Sequence, residues 1–446
     1  MSISQIYEAT KQSLLTQQSA INTTAKNIAN ANTEGYTRRR INLSKLSLGF
    51  SEMNGESVTR VKNQFVDSQL WYEKQELGKQ SMNEMLLKQV EGIYGEPSDS
   101  GLNNIMNEFW NSWSNLANNP ESESARAIVK DKGVMLAHTF NRLDKNIKNV
   151  QLQVGGEIEQ KVSEINGIVK QIKLLNTQIG DGGSIDLLDQ RDMLIDNLSS
   201  KIDIQVNNPE KGSLTIISGG NILVSGGHYN ELSVKTSQTS DGVFNIEINK
   251  INGNKNINIS SGELGGLIDF HNNYVAKNIQ KLNTIANHFK SAINDIHKTG
   301  YNLNSVTGMA FFSENTSGAG DFSVADEIIS DPSLIASSAS IDTPGDGSIA
   351  QLMADLKYGD VIKGETIEDF YTGVVTELGN QVQQAKFIKD NQARVIERLN
   401  NQKATVSGVS LDEEMTNLIK FEQAYQAAAR MVGTVDELMD TVLRMV

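Results

Sequence analysis

The sequence predicts a mainly α-helical protein with one small β insertion, on the basis of three observations. Apolar residues recur at steps of three and four over most of the chain, which is the spacing of an amphipathic helix. Near both ends they recur every seven residues, which is typical of a coiled-coil seam. Between residues 201 and 260 the spacing changes to two, the period of a β-strand. We therefore expect a long antiparallel helical bundle, terminal coiled-coil helices and one small antiparallel β domain.

The first predicted element is an amphipathic helix over residues 3–30. Tyr7, Leu14, Ile21 and Ile28 follow one another at intervals of seven residues along it. A seam of this width is too narrow to be buried in a broad core. We therefore expect these four side chains to contact partner helices.

A matching helix is predicted at the other end, over residues 411–445. Residues 1–40 carry five basic and two acidic side chains, whereas residues 411–446 carry three basic and seven acidic ones, so the two terminal helices should attract each other. The seam of the second helix recurs every seven residues and has further apolar positions three residues on. The predicted assembly contacts of both helices are Tyr7, Leu14, Ile21, Ile28, Leu411, Leu418, Phe421, Tyr425, Val432, Val435, Met439 and Val442.

Long helices are also predicted in the first half of the interior. An apolar stripe over residues 102–116 indicates a helix that ends at Asn119-Pro120. A longer stripe over residues 140–179 indicates a rod-like helix that is bent at Gly155-Gly156. A short helix follows over residues 187–198.

The β insertion follows over residues 201–260. Apolar and polar residues alternate there, and turns are predicted at residues 208–212 and at Asn252-Gly253. Sixty residues can form only a modest core, so we expect a small antiparallel unit.

The last third of the chain returns to the helical period. One stripe covers residues 264–300, and another begins at residue 367 and breaks at Ser407-Gly408. Residues 301–365 are rich in Ser, Gly, Asp and Thr, so we expect mostly loop with short strands near Phe322 and Leu334.

This layout predicts three domains, because the β insertion divides the helical body and the two ends can return to one place. Residues 1–36 and 408–446 form a terminal coiled-coil layer. Residues 37–200 and 261–407 form the long-helix bundle. Residues 201–260 form the small outer β domain.

Composition excludes several functions. The 446 residues contain no Cys, which excludes disulfides, thiolate nucleophiles and Cys-ligated metals. The net charge of −14 argues against a nucleic-acid binder. No apolar run approaches the ~20 residues of a membrane span, so no membrane insertion is expected. The N-terminus lacks the features of a signal peptide, which fits a cytoplasmic protein and equally a protein exported without a cleaved signal.

A search for catalytic or metal-binding motifs identifies none. The five His lack the spacing of a metal motif, and we interpret His271 and His288 as packing or solvent-contacting residues. Asp186, Asp189 and Asp192 recur at steps of three, which we interpret as a solvated helix face. The cluster at 38–40, three consecutive Arg, is interpreted as a solvated or ion-paired loop. We therefore predict a protein that is not an enzyme and uses no cofactor or metal.

Two terminal motifs resemble those of the bacterial flagellar axial proteins, a family of rod, hook and hook-associated proteins. Residues 27–39 read NIANANTEGYTRR and resemble the N-terminal signature of this family. In that signature Gly35 can take a left-handed conformation at the end of a helix. Residues 410–418 and 421–430 read SLDEEMTNL and FEQAYQAAAR and resemble its C-terminal motif.

Internal segments narrow the resemblance to the hook-associated proteins, and among them to the first of the two hook–filament junction proteins. These segments are residues 95–102, 109–120, 186–192 and 261–267. The resemblance covers nearly the whole chain. Longer members carry more outer β structure than residues 201–260 provide.

The resemblance implies a structural component of the bacterial flagellum that forms a ring at the hook–filament junction. It implies that the terminal helices line the channel and that the chain is exported unfolded, without a cleaved signal peptide, to an extracellular site. The implied partners are other copies of the chain, the hook protein, the second hook–filament junction protein and an export chaperone at the C-terminal helix.

Three alternatives remain open at the level of sequence. The chain could be another axial protein, such as the hook protein or the second junction protein. An outer hydrolase carried by the β unit would be an enzyme, but residues 201–260 contain a single His and no catalytic constellation. An adhesive or antigenic role of the β unit is the third.

Overall fold

The computed structural model describes residues 3–42, 58–207, 214–238, 244–251 and 256–445. The turns predicted at 208–212 and at Asn252-Gly253 lie outside these ranges. The fold class is confirmed, because long helices dominate the chain and the sheets are small and antiparallel. None of the helices in the described part of the chain has an apolar stretch that would span a bilayer.

The contacts between residues divide the chain into two compact units. The terminal unit comprises Met1–Leu77, Glu164–Glu231 and Asn391–Val446. The central unit comprises Gly78–Ser163 and Leu232–Asp390. Both chain ends therefore belong to one unit, although more than 400 residues separate them.

The terminal unit begins with α1 (Ile3–Ala29) and a hairpin of β1 (Arg39–Ile41) and β2 (Val58–Arg60). In this antiparallel pair Arg39 lies opposite Arg60. The unit ends with α11 (Leu411–Met445). Both terminal helices therefore agree with the sequence prediction to within one residue at each end.

Further helices and one sheet complete the terminal unit. It includes α5 (Asp186–Lys201), the start of α2 (Gln64–Tyr94) and the last residues of α4 (Glu123–Gly180) and α10 (Ile367–Ser407). Its four-stranded antiparallel meander consists of β3 (Gln205–Asn207), β4 (Thr215–Ser218), β5 (Asn221–Ser225) and β6 (His228–Tyr229). A bulge between Ile216 and Ile217 shifts the register of β4 against β5.

The central unit contains α3 (Leu102–Asn118), the hairpin of β7 (Leu232–Gln238) and β8 (Phe244–Lys250), α6 (Gly262–Asp269) and α7 (Val275–His297). A short π-helical segment, Phe270–Tyr274, joins α6 to α7. Two shorter helices, α8 (Asp326–Ser330) and α9 (Ser348–Asp355), lie in the segment that precedes α10.

The core of the central unit is aromatic. Phe109 of α3 lies at its middle and contacts Phe289 of α7, with ring centroids 5.6 Å apart. Trp110 stacks on the same Phe289 at 5.0 Å. The stripe over residues 102–116 therefore forms the buried face of a helix, as its spacing indicates.

Several sequence predictions in the interior are wrong. The single β unit expected over 201–260 is two separate sheets, β3–β6 in the terminal unit and β7–β8 in the central unit. Helix α2 was not anticipated, because its apolar residues do not concentrate on one face. Where a strand was expected near Leu334, the structure has a short 3-10 helix, Pro332–Leu334. The Asp331 side chain caps its N-terminus by accepting a hydrogen bond from the Ser333 amide, and Pro332 is its first residue. Helix α4 begins earlier than predicted. It runs without interruption through Gly155-Gly156, where a bend stays a prediction.

Candidate assembly interface

The terminal helices α1 and α11 pack along each other. Near the end of α1, the Asn27 side chain donates a hydrogen bond to Glu414 Oε2 at 2.9 Å, in the first turn of α11. Because the end of one helix meets the beginning of the other, the pair is antiparallel. Ile3 lies 24 residues before Asn27 on α1, and Leu438 lies 24 residues after Glu414 on α11. In an antiparallel pair these two residues are therefore at the same level.

On α1 the most deeply buried side chains are small or polar. Thr10, Ala20, Thr23 and Thr24 are buried, and the Thr10 and Thr23 hydroxyls donate to backbone carbonyls one turn earlier at 2.7 and 2.8 Å. These threonines satisfy their hydroxyl groups within their own helix. Small side chains at the contact allow α11 to approach closely. The predicted contacts Tyr7, Leu14, Ile21 and Ile28 are half-buried beside this face.

On α11 the covered residues follow steps of four and three. Ala428 and Val435 are buried, and the predicted contacts Leu418, Phe421, Tyr425 and Val432 are half-buried. The predicted contacts Leu411, Met439 and Val442 are exposed. Met439 and Val442 lie beyond the level of Ile3, where α1 begins. The role of all these residues in assembly stays a prediction.

Other apolar residues of the terminal pair are exposed away from the seam. The seven-residue spacing did not predict them. They are Leu15 on α1 and Met415, Ile419, Met431, Leu438 and Leu443 on α11. Leu443 is 74% exposed. They could have been predicted from the sequence, because they are large apolar residues at heptad positions that normally face solvent.

Asn27 organises the junction between α1, the loop after it and α11. Its side-chain amide donates to the Arg39 carbonyl at 2.9 Å and to Glu414, and its carbonyl oxygen accepts from the Arg39 amide at 3.0 Å and the Tyr36 hydroxyl at 2.8 Å. Both donors and both acceptor positions of this buried side chain are therefore used. An asparagine at this position fixes the path of the chain as it leaves α1.

Arg38 ties the loop to the start of α11. Its guanidinium donates to Glu414 Oε1 at 2.8 Å and to both carboxylate oxygens of Glu413 at 2.7 and 3.1 Å. The hydrogen bonds from Arg38 lower the pKa of Glu413. The interpretation of the 38–40 cluster as ion-paired is confirmed for Arg38 and for Arg39, while Arg40 is exposed.

The predicted solvated face of α5 is wrong. Asp189 is buried and lies between Arg39 at 3.2 Å and Arg60 at 3.1 Å, and Asp192 pairs with Arg60 at 2.7 Å. Asp186 pairs with Arg39, and that hydrogen bond lowers the pKa of Asp186. The three carboxylates therefore hold the β1–β2 hairpin. Sequence spacing alone could not reveal this, because the basic partners are distant in sequence.

The loop between α1 and β1 requires glycine at one position. Gly35 has a φ of +78°, as its place in the motif indicates. A β-carbon there would also collide with the side chain of Met193 on α5. The loop therefore lies against α5 at Gly35.

The buried histidines have structural partners. His297 Nδ1 lies 2.7 Å from the Met309 carbonyl, and its Nε2 accepts the Ala336 amide at 3.0 Å. His271 Nδ1 lies 2.9 Å from Asn272 Oδ1. In the ranges that the structure describes, no group of three or more His, Asp or Glu is arranged to hold a metal ion.

Comparison with known proteins identifies the family. The flagellar hook-associated protein 1 of Bacillus subtilis is 33% identical to this chain, over 98% of the chain and 97% of that protein. The chain belongs to the flagellar hook-associated protein 1 family. Its members from Escherichia coli and Salmonella typhimurium are 25% and 26% identical over 96% of this chain. The alignment with the Bacillus protein spans 499 positions, more than the 446 residues here, so that relative has residues that this chain lacks.

Family models support the assignment to the hook-associated protein 1 family. The FlgK helical domain model matches residues 87–312. Models of the flagellar basal body rod protein and of the FlgEFG C-terminal region match residues 13–37 and 402–445, the two terminal motifs. The structure of the flagellar hook junction protein FlgK from Burkholderia pseudomallei has the same fold, with a TM-score of 0.68 at 15% identity over 76% of this chain. The chain described here, as a member of this family, is therefore a structural protein of the bacterial flagellum.

Proposed function

We propose that copies of this chain assemble into a ring at the junction between the flagellar hook and filament, through their terminal helices. The observation that carries this proposal is the exposed apolar surface of the terminal pair. Five large apolar side chains of α11 are at least half exposed, although the two terminal helices pack along each other. They are Met415, Ile419, Met431, Leu438 and Leu443. Exposed apolar surface of this extent is typical of a protein–protein interface.

The terminal layer of residues 1–36 and 408–446 is the part that we assign to assembly. The half-buried residues Tyr7, Leu14, Ile21 and Ile28 flank the intrachain contact, so a neighbouring helix can cover them without separating α1 from α11. Exposed Leu411, Met439 and Val442 extend the same surface.

The partners we propose are other copies of this chain, the hook protein and the second hook–filament junction protein. The relatives' name supports association with the hook. We also propose an export chaperone that covers the apolar surface of α11 before assembly. Export of the unfolded chain suits a sequence without Cys, since such a chain forms no disulfide.

The role we propose is mechanical and requires no catalysis. The buried His297 and His271 are occupied by hydrogen bonds to the backbone or to a neighbouring amide. The acidic side chains of α5 are engaged by Arg39, Arg60 and Lys62. The conspicuous titratable groups therefore serve packing and connection.

The test is a Leu418→Asp change on the seam of α11. A charge at this half-buried position should prevent incorporation at the junction and stop filament growth, while the central unit stays folded. Immunolabelling of isolated flagella and a motility assay measure the outcome. Leu352→Asp, at a 51% exposed position of the central unit, is the matched control and should assemble normally. Normal filament growth with Leu418→Asp would contradict the proposal.

A further inference from the structure

A second apolar surface of the terminal unit lies between α4 and α5. These helices are joined by a short loop, and Arg191 on α5 donates to Asn176 on α4 at 2.8 Å on their buried side. On the opposite side they enclose a cavity of about 540 Å³. Its floor consists of Leu174, Leu175, Met193 and Leu194, and the other side chains that line it are uncharged amides. We call it the α4–α5 groove.

The groove is open to solvent in the single chain. Leu174 is 50% exposed and Met193 is 42% exposed. Met193 also lies against Gly35 of the loop that follows α1. The groove is therefore continuous with the base of the terminal helix pair, where assembly is proposed.

The same unit carries an apolar ridge at the start of α11. Leu411, Met415 and Ile419 follow one another at steps of four residues and are 50%, 50% and 53% exposed. Side chains four residues apart form a continuous ridge on a helix surface, and such a ridge packs into the groove between side chains of other helices. Met415 and Ile419 lie off the seam of seven-residue spacing, of which Leu411 is the exposed first member.

The charges beside the two surfaces are complementary. Asp412 and Glu422 are exposed next to the ridge, and Lys170 is exposed one turn before Leu174 at the edge of the groove. Within the described ranges none of these three has an ion-pair partner. Opposite charges at the rim favour the correct register of two surfaces.

We propose that the ridge of Leu411, Met415 and Ile419 on one copy docks into the α4–α5 groove of the next copy. In a closed ring the contacts are head-to-tail, so each subunit needs two different surfaces. One surface binds the preceding subunit and the other binds the next one. The ridge and the groove are such a pair. This inference rests on the proposed function and names the contact by which one copy recognises another.

The absence of Cys from the chain makes the test direct, because any thiol is an introduced one. Two tagged versions are co-expressed, one with Met415→Cys and the other with Leu174→Cys, and isolated flagella are oxidised. We expect the band of the single chain to shift to a dimer that contains one chain of each kind and is reversed by reductant. A matched control replaces Leu174→Cys by Leu352→Cys, which is 51% exposed on the central unit, and should give no such dimer.

Several results would overturn the inference. Assembled junctions that give no mixed dimer, or as much dimer with the Leu352→Cys control, would exclude the ridge–groove contact. A cross-link from Leu174→Cys to a different flagellar protein would show that another partner occupies the groove. These outcomes leave the proposed function intact, which fails separately if the unmodified chain is absent from the junction in immunolabelled flagella.

Discussion

The central unit has a core of large aromatic side chains, whereas the terminal helix pair buries mostly small or polar ones. Phe109, Trp113 and Phe289 in the central unit are fully buried. In the terminal pair most buried positions hold small or polar residues such as Thr10, Ala20 and Ala428, with Val435 the largest apolar one, while Leu438 is 53% exposed. Since burial of apolar surface is the main source of stability, the two regions must differ in how much they stabilise themselves.

This difference indicates a division of roles. The central unit contains an aromatic core of its own. The terminal pair has its direction and register set by Asn27, Arg38 and Glu414, but it obtains less hydrophobic stabilisation within the chain. A helix pair with a thin seam is marginal in water and gains stability when a neighbour covers its apolar surface.

The largest expected effect is a core truncation in the central unit. Phe289→Ala should lower the free energy of unfolding by about 3–5 kcal/mol, because it removes a ring at the centre of the aromatic cluster. Chemical denaturation measures this. Phe387→Ala, at a position 64% exposed, should change the free energy by less than about 0.5 kcal/mol. Equal losses for the two variants would contradict the description of the core.

Acid pH should destabilise the central unit next most strongly. Burial lowers the pKa of His297 from 6.5 to about 4, and its Nε2 accepts a backbone amide that a proton would repel. The unfolded chain therefore binds the proton more readily, so stability is complete above pH ~6.5 and falls by up to ~1.4 kcal/mol per pH unit as the pH drops toward 4. Burial also lowers the pKa of His271, which adds to the effect.

The contribution of His297 can be isolated by comparing denaturation curves between pH 7 and 4. His297→Gln should show a shallower loss of stability over this interval than the unmodified chain, even if it is less stable at pH 7. An unchanged slope would show that His297 is not responsible for the acid sensitivity.

Loss of the Glu414 carboxylate should have a smaller and local effect. Glu414→Ala removes one partner each from Asn27 and Arg38, which costs roughly 1–3 kcal/mol for a buried hydrogen-bonded group. Hydrogen exchange should accelerate in α1 and α11 while the amides of α3 and α7 are unchanged. Glu413→Ala is the control, because its carboxylate is exposed and should be dispensable. Equal acceleration in all four helices would contradict the separation of the two regions.

The sequence predicted the parts of the fold that depend on local periodicity. The terminal helices, α3 and the break at Ser407-Gly408 follow from apolar spacing and helix-ending residues that lie close together in the chain. The two separate sheets within 201–260 could not be predicted, because strand alternation shows that strands exist and not which strands pair. Helix α2 was missed because it lacks a single apolar face.

The candidate interface was only partly accessible from sequence. The seam residues Leu418 and Tyr425 were predicted from their spacing, and both are half-buried. The pairing of Asp189 with Arg39 and Arg60 was not, since 150 and 129 residues separate the partners. The ridge of Leu411, Met415 and Ile419 was recognised only at its first residue, because its exposure depends on which face α1 covers.

Hydrogen exchange of the free chain and of assembled flagella tests the central claim most directly. We expect the amides of α1 and α11 to exchange much faster than those of α3 and α7 in the free chain, and to become protected on assembly. Slow exchange in α11 of the free chain, equal to that of α3 and unchanged by assembly, would contradict the view that the terminal pair is completed by its neighbours.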